Sequence, residues 1–198
     1  FQCMPELVRR LETSARDTDA DRTEEIEDLI AAIAGLADCA QSADAVVHAQ
    51  LIDVLSSRLG GAPEALRVAV ARVLGRIGRI EDADRIDYLA KDASPLVRRA
   101  AVQALERFDA DQTRQAMRLA LCDESSGVRI AAAAVLGQTG TQEAVGDLER
   151  LSSDGDSRVA AAAVRAAGEL LERLGEAGAG GGGWIGLAAA RDPVVALA

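Results

Sequence analysis

Asp92, Asp123 and Asp154 stand 31 residues apart, and one further step back lands on Gly61. Other columns keep the same phase. Leu66, Val97, Val128 and Val159 align, followed by Arg67, Arg98 and Arg129, with Ala160 in the last unit. Ala69, Ala100, Ala131 and Ala162 align, as do Ile86, Met117 and Leu148, and Leu89, Ala120 and Leu151. A period of this length marks a repeat array, in which units that cannot bury their apolar faces alone stack on their neighbours. The units run 61–91, 92–122, 123–153 and 154–174.

Each unit holds two helical patterns. The first, such as Pro95–Arg107, places Val97, Ala100, Ala101, Ala104 and Leu105 at helical spacing. Gly78, Asp109 and Gly140 follow these first helices and predict left-handed helix ends. The second, such as Thr141–Leu151, is shorter and puts Ala144, Val145, Leu148 and Leu151 on one face. The Asp that opens the next unit predicts an N-cap. Pro63 and Pro95 sit near helix starts, where a missing N–H costs little. In the last unit Leu171 replaces the turn glycine, so its helix is expected over Ser157–Leu174.

The chain is 49% hydrophobic, yet Phe1, Tyr88, Phe108 and Trp184 are its only aromatic residues. Alanine, leucine, valine and isoleucine must therefore make the core. That suits close-packed helices, since alanine has the best helix propensity and lets backbones approach. The expected fold class is all-α, an α-solenoid of stacked helical hairpins. Residues 1–60 read as N-terminal cap helices (5–14) and a degenerate unit (24–59), with an acidic loop at 17–28. Residues 175–198 read as a Gly-rich linker, 175–183, and a tail, WIGLAAARDPVVALA. Two readings of the tail stay open: part of a following domain, or a segment that docks back onto the array.

The stretches Asp92–Leu105 and Asp123–Gly137 approximate "DxxxxVRxxAAxAL", with Val102 and Val135 at alanine positions. This pattern resembles the HEAT repeat, an armadillo-type helical hairpin, and most nearly the short bacterial form of phycobiliprotein lyase subunits. The resemblance implies an α-solenoid that binds other proteins. It also implies a structural role for the recurring Asp and Arg, which tie the turn of one repeat to its neighbour. Here those residues are Asp92, Arg98, Asp123, Arg129 and Asp154. Arg67 matches the Arg position although its unit opens with Gly61, and Ala160 ends the ladder.

Reactive chemistry is sparse. His48 is the one histidine, so a Ser-His-Asp or Cys-His site would have to use it. The His-Glu pairs of HEAT-type di-iron hydroxylases are missing. Cys3, Cys39 and Cys122 are widely spaced with no CxxC, which predicts buried single thiols in a reducing cytosol and neither zinc nor disulfide. The glycines before Trp184 lack the Lys-Ser/Thr of a P-loop. No catalytic, metal or cofactor residue is predicted, and no cofactor. The net charge of −10 argues against nucleic acid as partner. HEAT-like DNA glycosylases use a basic, aromatic-rich face, whereas here Arg85, Arg114, Arg118 and Arg150 alternate with Asp84, Asp87, Asp147 and Glu149. No membrane insertion is expected, since no apolar run of about 18 residues occurs.

The expected function is a non-catalytic protein-interaction or scaffolding module, cytoplasmic, and a segment of a larger bacterial protein. The expected partner is another protein or another domain of the same chain. The competing reading is a subunit of a bilin-lyase-like enzyme. If columns 86/117/148 and 89/120/151 are buried, their neighbours on the second helices face solvent. Asp84, Asp87, Tyr88, Gln115, Arg118, Glu149 and Arg150 form the candidate binding face, with Tyr88, Arg118 and Arg150 of the side-chain types commonest at binding hot spots.

Overall fold

A computed structural model of the chain describes residues 62–77, 82–108 and 110–175. The helix expected at 5–14, the degenerate unit at 24–59, Cys3, Cys39, His48, Gly78, Asp109 and the segment 176–198 lie outside the described residues. The chain divides into two compact units, Phe1–Phe108 and Asp109–Ala198. The first holds α1 (Glu64–Ile77), α2 (Ala83–Leu89) and α3 (Pro95–Ala104), which closes in a 3-10 turn at Leu105–Arg107. The second holds α4 (Ala110–Leu121), α5 (Ser126–Thr139), α6 (Gln142–Leu151) and α7 (Ser157–Arg173). Every regular element among the described residues is helical.

In both units the first helices of successive repeats lie side by side. α1 packs on α3, and α5 packs on α7. The second helices form the other layer: α2 touches α1 and α3, and α6 touches α5 and α7. The alanine columns explain the closeness of the first layer. Ala101, Ala132, Ala133 and Ala163 are fully buried. A Cβ built on Gly75 would lie 2.8 Å from the Cα of Ala104, and one on Gly137 would lie 3.0 Å from the Cα of Ala166. At these crossings backbone meets backbone, and no larger residue fits without the helices moving apart. The second helices contribute longer side chains instead. Ile86, Leu89 and Leu148 are fully buried, and Met117, Ala120 and Leu151 nearly so. Both expected buried columns are therefore in the core.

The helix starts differ from expectation. The aspartates that open the units do not cap. Ser94, Ser125 and Asp156, two residues later, are the N-caps of α3, α5 and α7. The Asp carboxylate instead accepts the N–H of that N-cap residue, at 2.8 Å in all three turns: Ser94 to Asp92, Ser125 to Asp123, and Asp156 to Asp154. Asp-x-Ser offers two capping residue types. The first, in these turns and in Asp154-Gly155-Asp156, is claimed by its own turn, and Asp92 and Asp154 pair with Arg67 and Arg129 as well, leaving the second to open the helix. Ser94 Oγ accepts from the Leu96 N–H at 3.2 Å, and Pro95 occupies the first turn as expected.

The glycine reading is also corrected. Gly140 has φ −61° and ψ 159°, an extended conformation rather than a left-handed one. Its requirement is space: a Cβ there would lie 2.4 Å from the Leu136 carbonyl oxygen and 3.0 Å from Ala144 Cβ. Gly175, with φ 74°, is the described residue that takes the left-handed conformation, just beyond α7. The last helix runs Ser157–Arg173 with Leu174 as its C-cap, one residue short of expectation. Cys122 is an exposed free thiol, not a buried one.

Candidate functional site

The candidate face is built by the second helices. Their apolar columns point into the core, so helical geometry turns the intervening residues outward.

In the first unit, Asp84 and Tyr88 are exposed, and among the described residues Tyr88 is the most accessible large hydrophobic side chain at 61%. Asp87 is half-exposed and accepts from Lys91 Nζ at 2.5 Å. Arg85 pairs at 3.0 Å with Asp82, a buried carboxylate at the start of α2. Both ion pairs stay within the α2 segment.

In the second unit, Gln115, Arg118, Glu149 and Arg150 are all exposed. Here charges reach from one second helix to the next. Arg114 on α4 meets Glu143 on α6 at 3.2 Å, and Arg118 meets Asp147 at 3.6 Å. Arg150 also donates to Asp147. Asp147 is largely covered, sitting between two well-exposed arginines. Partners in this ladder stand 29 residues apart. The face is thus internally compensated in charge, which gives each pair little net stabilisation and leaves no strong field of one sign.

Leu119 belongs to the same face and was not singled out by sequence reasoning. It is 55% exposed, and it stands 31 residues after Tyr88, in the same register as Arg150 one repeat further on. An apolar residue on an amphipathic helix reads as core. Its column, set by Tyr88 and Arg150, was the signal that it is not.

Between α4, α5 and α6 lies a shallow cleft lined by Met117, Arg118, Leu136, Thr139, Ala144 and Asp147, among others, with room for about 30 Å³. Pockets for small molecules are roughly 300–1,000 Å³, so this one is far smaller than a typical ligand site. Among the described residues no buried side-chain nitrogen or oxygen lacks a partner, and no group of three or more His, Cys, Asp or Glu residues could hold a metal ion. Among them no helix is long and apolar enough to cross a membrane.

The Asp/Arg residues occupy the turns, away from this face. Arg67 Nε and Nη2 donate to the two oxygens of Asp92 at 2.8 and 3.0 Å, and its Nη1 donates to the Ala62 carbonyl. Arg129 makes the same bidentate pair with Asp154, at 2.9 and 3.0 Å, and its Nη1 donates to the carbonyls of Asp123 and Glu124. Arg98 is buried and donates to the carbonyls of Asp92 and Ala93. Each of these arginines therefore staples its own turn, and Arg67 and Arg129 pair with the Asp of the following repeat. Gly61 in the first unit costs Arg67 nothing, because the carboxylate it uses is Asp92.

Acidities are displaced at these turns. Burial pushes Asp92 up, but the Arg67 hydrogen bond, the Ser94 N–H and the charges of Arg67 and Arg98 outweigh it, and the carboxyl is held below its ordinary value. Arg129 and the Asp156 N–H hold Asp154 down likewise. The Asp92 hydrogen bond raises Arg67. Arg158 and its own N–H hold the half-buried Asp156 far below the usual carboxylate range. These shifts come from the hydrogen bonds and charges that hold the turns together.

Residues 83–168 match the family model for HEAT repeats. That span covers α2 to most of α7 and carries both helical layers. Together with the stacked helical pairs it places the fold in the all-α, HEAT α-solenoid class. No curated protein matches the chain.

Proposed function

From the premise that residues 83–168 are a HEAT-repeat region, we propose that it works as a non-catalytic protein-binding module through the outward faces of its second helices. HEAT repeats generally mediate protein binding, and the observation that carries the reading here is the exposed column 88/119/150. Tyr88 and Leu119 hold large side chains in solvent at one register position, in a setting of mixed charge. Tyr and Arg are enriched among residues that dominate binding energy, and in the second unit the exposed Leu119, next to Arg118 in sequence, adds apolar area that a partner could bury. The compensated charges favour a partner whose surface is itself mixed in charge, since neither sign dominates.

The test is affinity capture with the whole chain, compared with a variant carrying Tyr88→Ala, Arg118→Ala, Leu119→Ala and Arg150→Ala, with captured proteins identified by mass spectrometry. The variant keeps its melting temperature and loses the captured proteins. An identical set of captured proteins would sink the assignment of this face. The bilin-lyase-like reading is separated by the visible absorbance of the protein after incubation with a bilin, which a pure interaction module does not acquire.

A further inference from the structure

In a chain whose net charge is −10, the first helices of the first unit are positively charged. α1 and α3, with its closing turn, carry Arg67, Arg72, Arg76, Arg98, Arg99 and Arg107 against the carboxylates of Glu64 and Glu106. Arg67 and Arg98 are held by their turns. Arg72, Arg76, Arg99 and Arg107 are exposed. The side chains of Arg72 and Arg99 have no hydrogen-bond or ion-pair partner among the described residues.

Two bonds bring these arginines onto one surface. At the start of the helices Ser94 Oγ donates to Glu64 at 2.5 Å, and at their end Arg107 Nη1 donates to the Arg76 carbonyl at 2.7 Å. α1 and α3 therefore run parallel and in step. Helical spacing sorts their outward residues into two stripes. On α1 the stripe is Ala65, Val68, Arg72 and Arg76; on α3, one repeat later, it is Leu96, Arg99, Gln103 and Arg107. The N-terminal end of this surface is apolar, and Leu96 stands there 47% exposed. The rest is cationic. Residues one turn apart are separated by about 6 Å along a helix, and neighbouring helices by about 8–10 Å, so the arginine backbones fall within roughly 10 by 12 Å.

The same columns differ in the second unit. On α5 they read Gly127, Ile130, Ala134 and Gln138, without charge. On α7 they read Arg158, Ala161, Arg165 and Glu169. Arg158 pairs with Asp156 at 2.8 Å, and Arg165 approaches Glu169 at 3.8 Å. Those cations have carboxylates of their own, whereas Arg72 and Arg99 have none.

We propose that the outward face of α1 and α3 docks an acidic peptide segment of a partner protein, with carboxylates over the arginines and an apolar side chain against Leu96 and Val68. A guanidinium takes a carboxylate through two parallel N–H donors, as Arg67 does with Asp92 on these same helices. The chain's net negative charge repels a long polyanion such as nucleic acid. A short peptide lies within the patch, and repulsion from exposed charge beyond it is screened over about 8 Å. The apolar end fits a helix with a hydrophobic residue a turn or two from its carboxylates and offers nothing to a phosphate backbone.

The test is fluorescence anisotropy of a labelled peptide of glutamates with leucines at helical spacing, titrated with the whole chain. The comparison probes are the same peptide with glutamine for glutamate, a single-stranded oligonucleotide and phosphatidylserine vesicles. The chain should bind the glutamate peptide, more weakly as salt rises, and should not bind the glutamine peptide. Arg72→Glu/Arg99→Glu alters two exposed side chains that hold no described partner, and should lower affinity at least about tenfold with helical circular dichroism retained. Arg72→Gln/Arg99→Gln removes the charge without reversing it and should lose less. Arg165→Gln, in the Arg72 column of α7, and Tyr88→Ala, on the second-helix layer, should bind as the parent does. Equal affinity of the parent and both double variants would overturn the proposal, as would tight binding of the glutamine peptide. Tighter binding of the oligonucleotide or the vesicles, lost in the same variants, would overturn the acidic peptide as occupant. Self-association of the parent that disappears in these variants, read by sedimentation, would make the occupant a second copy and overturn it as well.

Discussion

The two layers of helices solve the burial problem with opposite materials. Along α1, α3, α5 and α7, contact is made by alanine and glycine at backbone distance. Along α2, α4 and α6, it is made by single long side chains such as Ile86, Met117 and Leu148. Backbone contact leaves little slack, because α1 and α3, and α5 and α7, already meet at Gly75–Ala104 and Gly137–Ala166. A side chain can adjust its rotamer. The first layer therefore fixes the spacing of the repeats, and the second layer is where sequence is free to differ on the outward side.

The largest test of this contrast is to force volume into the first layer. Gly137→Leu should destabilise by about 3 kcal/mol through overpacking against Ala166, read as a drop in thermal midpoint; Ala131→Leu should follow at about 1–3 kcal/mol. An unchanged midpoint for Gly137→Leu would remove the claim that backbone contact sets the spacing. Next comes the turn. Arg129→Ala loses the Asp154 pair and two carbonyl bonds, and should cost about 1.5–3 kcal/mol in denaturant unfolding.

Acid should act on the same clasps. Asp92 and Asp154 have folded-state acidities below their ordinary value. Their contribution is fully present above the unfolded carboxylate value of about 3.9 and is lost as pH falls through the folded value. Stability should thus decline below about pH 4, and an Asp92→Asn/Asp154→Asn double variant should show a flatter acid limb. A limb as steep as that of the parent chain would mean that other carboxylates carry it.

A smaller effect has the opposite sign. Gly168 occupies the same column as Gly137 but meets nothing. Gly168→Ala should stabilise by about 0.5–1 kcal/mol, the ordinary gain for a helix interior, while Gly137→Ala should destabilise. Two changes of the same sign would show that the crowding at Gly137 does not govern its tolerance. Smallest of all, Tyr88→Ala and Leu119→Ala should move stability by no more than about 0.5 kcal/mol, while binding to a captured partner falls.

The repeat phase made the helices legible, and the bounds of α6 and α7 follow it to within a residue. It could not place the caps. Asp and Ser are both good N-caps, and the choice between Asp92 and Ser94 is decided partly by Arg67, 25 residues earlier. Nor could it say why Gly140 is glycine, since a left-handed turn and a crowded one ask for the same residue. Of the candidate face, the outward positions were legible from the buried columns. The Arg118–Asp147–Arg150 arrangement was not, because long side chains choose partners by three-dimensional reach. Leu119 escaped because hydrophobicity alone does not distinguish a core leucine from an exposed one.

The clasp between Arg67 and Asp92 has a consequence for how the chain is made. As the polypeptide emerges from its N-terminus, Arg67 and then Arg129 each wait for a carboxylate that follows 25 residues later. Every closing contact is therefore short in sequence, which favours fast folding. A growing chain can complete these turns in the order of their synthesis, with each repeat finished by the arrival of its successor. A chain cut short just before Asp92 would leave Arg67 without that carboxylate, and its C-terminal end would be its least stable part.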